Sequence, residues 1–371
     1  MIKTKNNNNE KFSVRLLYWY DNNKRNLPWR ALTGKTPNPY HVYLSEIMLQ
    51  QTVVKTVIPY FLKFVKKWPT IKSLANANFE EISQYWAGLG YYRRAKNLHE
   101  TAVQIVKNHG GIIPNNKKTL LSLPGIGEYT SSAIVAIAFG KKANVIDGNV
   151  ERIFSRLFKI QKPIKDAKDQ IIDYSNKYLP IDRYGDYAQA LMDLGSLICI
   201  PKNPRCSVCP IIEFCQAGSD LSAKQYPKKS LKIKKPERYG LFYCLLNKKG
   251  EILITTNKNK GLLANMNVLP SVGWYEEENR FSRKPQFIEI KDSLFNLEWQ
   301  FIESKIVHAF THFNLNVSIA TTLVENDIVL KKYLLKGNYK FVKSKKIKDL
   351  ALPSIMKKII RHLQDENIIK I

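Results

Sequence analysis

The spacing of apolar residues changes once along this chain, and that change restricts it to a helical domain followed by a mixed one. From about Phe12 to Gln216 apolar residues recur at three- and four-residue steps, as in Ile47, Val54, Ile58 and Phe61, the spacing of amphipathic helices. Pro69, the Gly88 and Gly90 pair, Gly110-Gly111-Ile112-Ile113-Pro114 and Leu123-Pro124-Gly125 break the pattern, so many helices with short connections are predicted. The stretch from Tyr226 to Pro236 is rich in Lys and Pro without an apolar face and reads as a linker. Short β-favouring runs follow at Gly240 to Leu246, Glu251 to Thr255 and Leu315 to Leu323, with a helical tail from about Pro353 to Gln364. That texture predicts an α+β domain. The expected boundaries are 1–225, a linker at 226–238, and 239–371. A length of 371 residues suits this division, and 44% apolar residues supply a sizeable core, which excludes a disordered or fibrous chain.

Charge narrows the partners. Lys and Arg number 59 against 31 Asp and Glu, a net +28, which points to a polyanion; compositional drift toward Lys, Asn and Ile is the plain alternative. Both parts share the excess, +15 up to residue 225 and +13 beyond it. No run of 18 apolar residues occurs and the polar start has no signal-peptide core, so neither a membrane span nor secretion is expected. Four of the five cysteines, Cys199, Cys206, Cys209 and Cys215, fall within 17 residues as C-x6-C-x2-C-x5-C. This is no secreted disulfide framework, and the expected compartment is reducing and intracellular. Clustered thiolates suit zinc or an iron–sulfur cluster. Structural zinc usually shows two short-spaced pairs where only one C-x2-C is present, so the spacing favours iron–sulfur; four unliganded cysteines are the plain alternative. Cys244, alone in an apolar strand, reads as core.

Two acids and a glycine turn carry the candidate chemistry. In Leu123-Pro124-Gly125-Ile126-Gly127 the glycines precede an apolar helix predicted over Ser131 to Phe139. Such a turn lets backbone N–H groups approach an anion, a DNA phosphate for example, although any helix-to-helix turn uses Pro and Gly. Asp147 follows in Val145-Ile146-Asp147-Gly148-Asn149-Val150, partly desolvated and placed for catalysis, or else an ordinary helix N-cap. Glu46 is the only charge between His41 and Lys55. Its apolar neighbours predict a raised pKa, as a general acid at neutral pH requires, against the commoner solvent-facing helix glutamate.

Together, LPGIG, VIDGNV and the cysteine spacing resemble the helix-hairpin-helix DNA glycosylase superfamily in its iron–sulfur branch, and within it the MutY-type adenine DNA glycosylases. The resemblance extends through LPWR at 27–30, SEIMLQQT at 45–52, GLGYYRRA at 88–95 and QALMDLGSLIC ending at Cys199. It implies an all-α helix-hairpin-helix domain with an iron–sulfur loop at 199–215 and an α+β Nudix-like C-terminal domain. The implied activity is hydrolysis of adenine from duplex DNA at A:8-oxoguanine or A:G mispairs in base excision repair. Glu46 would protonate adenine N7, Asp147 would stabilise the oxocarbenium-like sugar, and Tyr129 and Asn149 would orient the site. Tyr129 stands where endonuclease III has a nucleophilic lysine, so no imine forms and the enzyme is expected to be monofunctional.

Arg25, Leu27, Trp29 and Arg30 match the family's adenine-pocket segment, with Gln189 opposite. Gln51, Tyr91 and Tyr92 match positions beside the opened base stack, ordinary helix packing being the alternative. Gly125 and Gly127 would bind phosphate, with Arg93, Arg94, Lys202 and Arg205 adding contacts. The four cysteines would hold one [4Fe-4S] cluster. In the rear domain Phe310-Thr311-His312 matches the loop that reads 8-oxoguanine, with threonine in place of the usual serine. No Nudix catalytic box is recognisable, and Glu276-Glu277-Glu278 is too short to serve as one. The segment Gly261 to Pro270 lacks the family's aromatic residues, which predicts looser packing there. A monomer is expected, in the bacterial cytoplasm at the nucleoid. The rivals are a thymine-type or bifunctional glycosylase of the same fold, and a basic iron–sulfur DNA-binding protein without activity.

Overall fold

A computed structural model describes residues 6–32, 35–230, 234–257, 262–263, 266–273, 297–304, 306–325, 339–350 and 352–369. Contacts divide the chain into two units, 1–232 and 233–371. The first unit carries α1 (Asn6–Asn23), α2 (Pro39–Leu49), α3 (Val54–Lys67), α4 (Ile71–Ala75), α5 (Phe79–Trp86) and α6 (Arg93–His109). It continues with α7 (Lys117–Leu121), α8 (Glu128–Ala133), α9 (Gly148–Leu157), α10 (Lys168–Lys177), α11 (Tyr184–Leu197) and α12 (Gln216–Ser219).

Local chemistry sets many of the helix ends. Asn38, Asn78, Asn116 and Asp147 each accept a backbone N–H of the first turn that follows them, and Thr70 and Ser73 satisfy each other's backbone reciprocally. These caps satisfy N–H groups that a helix start leaves orphaned. The helix predicted at Ser131 begins earlier, at Glu128, and passes into a π-helical turn over Ile134–Ala138. There α11 packs tightly, since a Cβ on Gly185 would lie 2.6 Å from the Ala136 carbonyl oxygen.

Among the described residues of the first unit, two large apolar cores stand out. One gathers Tyr43, Leu44, Phe61, Phe64, Trp86 and Ile134 around α2 and α3; the other gathers Phe12, Leu16, Phe154, Leu191 and Leu194 around α1, α9 and α11. Glu46 and Tyr129 belong to elements of the first core, Asp147 and Asn149 to the start of α9 in the second, so the site falls between them. Arg94 corrects the expectation of a phosphate contact, because its side chain is buried among backbone carbonyls. Its guanidinium donates to the carbonyls of Ile47 (3.0 Å), Met48 (2.7 Å), Leu89 and Gly90 (both 3.2 Å). It lies over the Trp86 ring and ties the end of α2 to the 88–90 turn. The carbonyls at a helix C-terminus attract a cation, and α2 supplies two of them.

The second unit is a mixed sheet of β1 (Glu237–Asn247), β2 (Glu251–Thr256), β3 (Asn267–Val268), β4 (Ser271–Val272), β5 (Gln300–Ile302), β6 (Val307–Ala309), β7 (Asn314–Val324) and β8 (Tyr339–Lys343). Its spine is the parallel pair β1 and β7, in register from Glu237 opposite Asn314 to Asn247 opposite Val324. β2, β3, β4, β5, β6 and β8 join antiparallel. Helix α13 (Ser354–Asp365) buries Ile355, Met356, Ile359, Ile360 and Leu363, the apolar stripe that its sequence spacing predicts.

The expected linker is shorter than 226–238. Tyr226 is buried in the first unit, where its hydroxyl accepts from Gln161, and β1 already begins at Glu237. Looser packing near Pro270 is also corrected: Met266, Val268 and Leu269 are buried, and the Leu269 N–H donates to Met356 Sδ at 3.3 Å. Gly261, Ala264, Asn265 and the Glu276-Glu277-Glu278 run lie outside the described residues. Among those described, no helix is long and apolar enough to cross a membrane.

Candidate active site

Helix α2 is buried along most of its length, from Tyr40 to Met48 with His41 alone half-exposed, and this carries Glu46 out of solvent. The Tyr129 hydroxyl, at the start of α8, donates to Glu46 Oε2 at 2.7 Å. Gln50 Nε2 donates to Thr130 Oγ1 at 3.2 Å and fastens the same two helices. Burial pushes the Glu46 carboxyl up to about 7, the Tyr129 hydrogen bond opposes it, the Asp147 charge adds to it and Arg30 opposes it again. Burial, with the charges of Glu46 and Asp147, holds the Tyr129 phenol well above its ordinary value. Tyr129 therefore remains a hydrogen-bond donor.

Asp147 proves to be both an N-cap and a site residue. Its Oδ1 accepts the backbone N–H groups of Asn149 and Val150, each at 2.9 Å, and its Oδ2 accepts from Asn149 Nδ2 at 2.6 Å. Three donors fix the orientation of the carboxylate at the mouth of α9. Glu46 and Asp147 open on one cavity of about 790 Å³. Tyr129, Asn149, Gln51 and Gln189 line it together with Arg25, Leu27, Trp29 and Arg30. Such a volume lies within the range of small-molecule pockets.

Sequence reasoning missed what anchors this wall. The fully buried carboxylate of Asp193, on α11, accepts from Arg25 Nε (2.6 Å) and backbone N (3.0 Å), and from Arg30 Nη1 (2.7 Å) and Nη2 (2.8 Å). Burial works against the Arg30 charge, but the two-pronged Asp193 contact outweighs it and holds the guanidinium above its usual value. The signal was a lone acid inside the apolar run Leu191-Met192-Asp193-Leu194. Arg152 and Arg156 were missed as well, though they sit four apart on α9 among apolar residues. Arg152 Nη2 donates to Asn149 Oδ1 at 2.9 Å and its Nε to the Cys199 carbonyl at 2.8 Å. One guanidinium thus links the site to the cysteine loop.

The remaining predicted residues divide. Gln51 and Tyr91 both have left-handed backbones, φ 56° and 48°, a conformation that side-chain-bearing residues adopt at a cost. Tyr91 is 57% exposed, which sets aside ordinary helix packing for it. Tyr92 is half-buried ahead of α6. In the hairpin between α7 and α8, Gly125 has φ +74°, and a Cβ there would come within 2.7 Å of the Asn97 side chain, so the turn requires glycine. Gly127 precedes α8 with no side-chain cap. In the second unit, Thr311 and His312 are exposed at the turn between β6 and β7, and Phe310 is half-buried.

The four loop cysteines form no disulfide, and each is half-buried. Cys199 follows α11, Cys206 opens a 3-10 turn, Cys209 ends it, and Cys215 precedes α12. Burial pushes Cys209 up to about 12, with Cys199, Cys215 and Cys206 each adding to it, and pushes Cys215 up to about 11. Thiols held neutral in this way would bind a metal centre by losing their protons to solvent, the metal taking the proton's place on sulfur. Arg156 Nη1 donates to Cys199 Sγ at 3.1 Å, a contact that suits a metal-bound thiolate. Among the described residues no three His, Cys, Asp or Glu side chains form a group set to hold a metal ion. Four cysteines within 17 residues fit a cysteine-held cluster in the chemistry of their donors alone.

Comparison with known proteins gives this arrangement its class. Residues 44–179 match the HhH-GPD superfamily of base excision DNA repair proteins, and residues 242–362 match the NUDIX domain. The molecule is thus a helix-hairpin-helix repair domain followed by a Nudix-like domain. The chain is 31% identical to the human adenine DNA glycosylase over 409 aligned positions, covering 96% of this chain and 74% of that one. It is 33% identical to the adenine DNA glycosylase of Buchnera aphidicola subsp. Acyrthosiphon pisum, over 83% of this chain and 85% of that one. The chain belongs to the adenine DNA glycosylase family. Among solved structures, a thermostable thymine-DNA glycosylase aligns with a TM-score of 0.52 and 28% identity over 58% of this chain and 98% of that one. Glycosylases of this kind generally carry a [4Fe-4S] cluster.

The Tyr129 contact gives a first prediction. Its hydrogen bond favours ionised Glu46, so Tyr129→Phe should move the Glu46 titration to higher pH, as followed by the pH dependence of single-turnover base release. A profile unmoved, or displaced downward, would show that Tyr129 does not tune that proton.

Proposed function

We propose that this protein excises adenine from duplex DNA where it stands opposite 8-oxoguanine or guanine. The observation that carries the reading is the buried Glu46 carboxyl, its pKa pushed up to about 7 by burial, on the same cavity as the triply held Asp147 carboxylate. Adenine inside a duplex is out of reach, so the nucleotide must be flipped, at a cost of about a few kcal/mol. Leu27 and Trp29 offer an apolar and aromatic surface for the extruded base.

Glu46 then delivers its proton to adenine N7. The C1′–N9 bond breaks with its electron pair moving into the base, which departs neutral and leaves an oxocarbenium-like sugar. Asp147, on the lining of the same cavity, would stabilise that positive charge as a carboxylate does in glycoside hydrolysis, and water completes the reaction. Asn149 keeps the Asp147 carboxylate aimed, and Tyr129 keeps the Glu46 carboxyl aimed. Tyr129 has no amine with which to form an imine, so strand cleavage by β-elimination has no nucleophile at that position.

The flanking features support the same reading. Gln51 and Tyr91 would hold the opened base stack, and the Gly125 turn suits a phosphate. The exposed Thr311 and His312 would read the base opposite the adenine. Cys199, Cys206, Cys209 and Cys215 would hold one [4Fe-4S] cluster, which fixes the loop that carries Lys202 and Arg205. A net charge of +28 implies binding that falls steeply with salt.

The test is adenine release from duplexes bearing adenine opposite 8-oxoguanine, guanine or thymine, followed without alkaline treatment. Release opposite the first two with the strand left intact is the expected result. Release of thymine, or strand cleavage at the rate of base loss, would favour the rival glycosylase chemistries. Absorbance near 400 nm with about four irons per chain is expected of the cluster, whereas a colourless zinc protein would refute it.

A further inference from the structure

The residues that lead into β1 and open it, which the sequence alone assigns to the linker, grip the hairpin between β6 and β7. Phe310 and Phe313 close that hairpin, the Phe310 N–H donating to the Phe313 carbonyl at 2.9 Å, and leave Thr311 and His312 exposed at its tip. β6 pairs with β7 at only three positions, so the strand itself holds the tip weakly. Four successive residues supply the missing support. Lys235 Nζ donates to the Phe310 carbonyl at 2.6 Å. The Pro236 carbonyl accepts the Asn314 N–H at 3.0 Å. The two Glu237 carboxylate oxygens accept from Asn314 Nδ2 and Asn316 Nδ2, each at 2.7 Å. The Arg238 guanidinium carbon stands 4.2 Å from the centre of the Phe313 ring, which in turn lies 4.9 Å from the Phe310 ring.

We propose that Lys235 and Arg238 are positioning residues for partner-base discrimination: they fix the hairpin that presents Thr311 and His312 to 8-oxoguanine. The proposal rests on the reading of that hairpin as the lesion reader. A cation over an aromatic face and a charged donor on a carbonyl both restrict the turn before DNA arrives. A tip fixed in advance loses less freedom on binding, so the gain falls on the partner that the tip contacts specifically. Plain guanine, which lacks the oxidised edge, depends on it less.

The experiment uses the full chain and compares single-turnover adenine release opposite 8-oxoguanine with release opposite guanine, alongside hydrogen exchange of the 307–316 segment. Arg238→Ala is expected to lower the preference for the oxidised partner by about five- to tenfold, with the rate opposite guanine changed less than twofold and exchange of the hairpin amides accelerated. Lys235→Ala should act in the same direction, and Arg238→Lys, which keeps a cation over the ring, should retain most of the preference. His312→Ala separates this proposal from the reading beneath it. If His312→Ala loses the preference while Arg238→Ala and Lys235→Ala keep it, the positioning role is overturned and the lesion reader stands. If His312→Ala keeps the preference, the lesion reader itself falls and the proposal with it. Equal losses on both substrates in Arg238→Ala would also overturn it, since they would mark a purely structural role.

Discussion

Glu46→Gln should slow adenine release by about 10²- to 10⁴-fold, the usual worth of a positioned general acid, while duplex binding is largely kept. Glutamine preserves the shape and the acceptor for Tyr129 but has no proton to give. The buried carboxyl of the wild type holds its proton up to about pH 7, so wild-type activity should decline as pH rises through that value, and the residual activity of Glu46→Gln should show no such limb. Stability should fall with rising pH as well. The folded pKa is raised above the ordinary 4.5, so protonated Glu46 favours the native state at low pH and the advantage disappears as pH rises through about 7. Above that pH the buried charge costs on the order of 3 kcal/mol. Glu46→Gln is therefore expected to melt higher than wild type at pH 8 and to lose that gain near pH 5. A variant less stable than wild type at pH 8 would mean that Glu46 is not buried as described.

Arg156→Ala should produce the largest loss of stability. The side chain is 1% exposed and its guanidinium donates to the carbonyls of Cys199, Ile200, Pro201, Ala223 and Tyr226 as well as to Cys199 Sγ. Truncation orphans several buried acceptors together and leaves a cavity at the centre of the cysteine loop. Each orphaned group costs about 1–3 kcal/mol, and partial relaxation brings the total to roughly 3–5 kcal/mol. For a unit of this size that corresponds to a fall of about 10 °C in Tm, read as the melting transition of the helical unit in the full chain. Arg156→Lys should rescue little, because an ammonium cannot reach separated carbonyls as a planar fork does. A change of under 2 °C in Arg156→Ala would show that the loop is held by other means.

The acids at the centre of the site were legible because each breaks a local pattern: Glu46 is the lone charge in an apolar helix, and Asp147 stands between an apolar run and a glycine. The turn at Gly125 and the cysteine spacing were legible for the same reason. Asp193, Arg152 and Arg156 were not. Charged residues on a helix usually face water, and only the fold shows that Asp193 meets Arg25 across 168 positions. Arg94 misled in the opposite direction, since an arginine beside a predicted DNA-facing turn turned inward to a helix end. In the second domain the long strands were legible from β-favouring runs. The role of Lys235 to Arg238 was hidden, because a Lys- and Pro-rich stretch has no apolar face and its partners lie some 75 residues away.

Glu46 and Asp147 line one cavity and act together there on adenine. The most direct measurement is single-turnover adenine release from a duplex with adenine opposite 8-oxoguanine, by wild type and Asp147→Asn, with binding measured on the same duplex. Asparagine can still accept the α9 N–H groups, so the helix should persist while the negative charge is gone. The account predicts intact binding with adenine release lowered by about 10³-fold or more. Release by Asp147→Asn at the wild-type rate would contradict it.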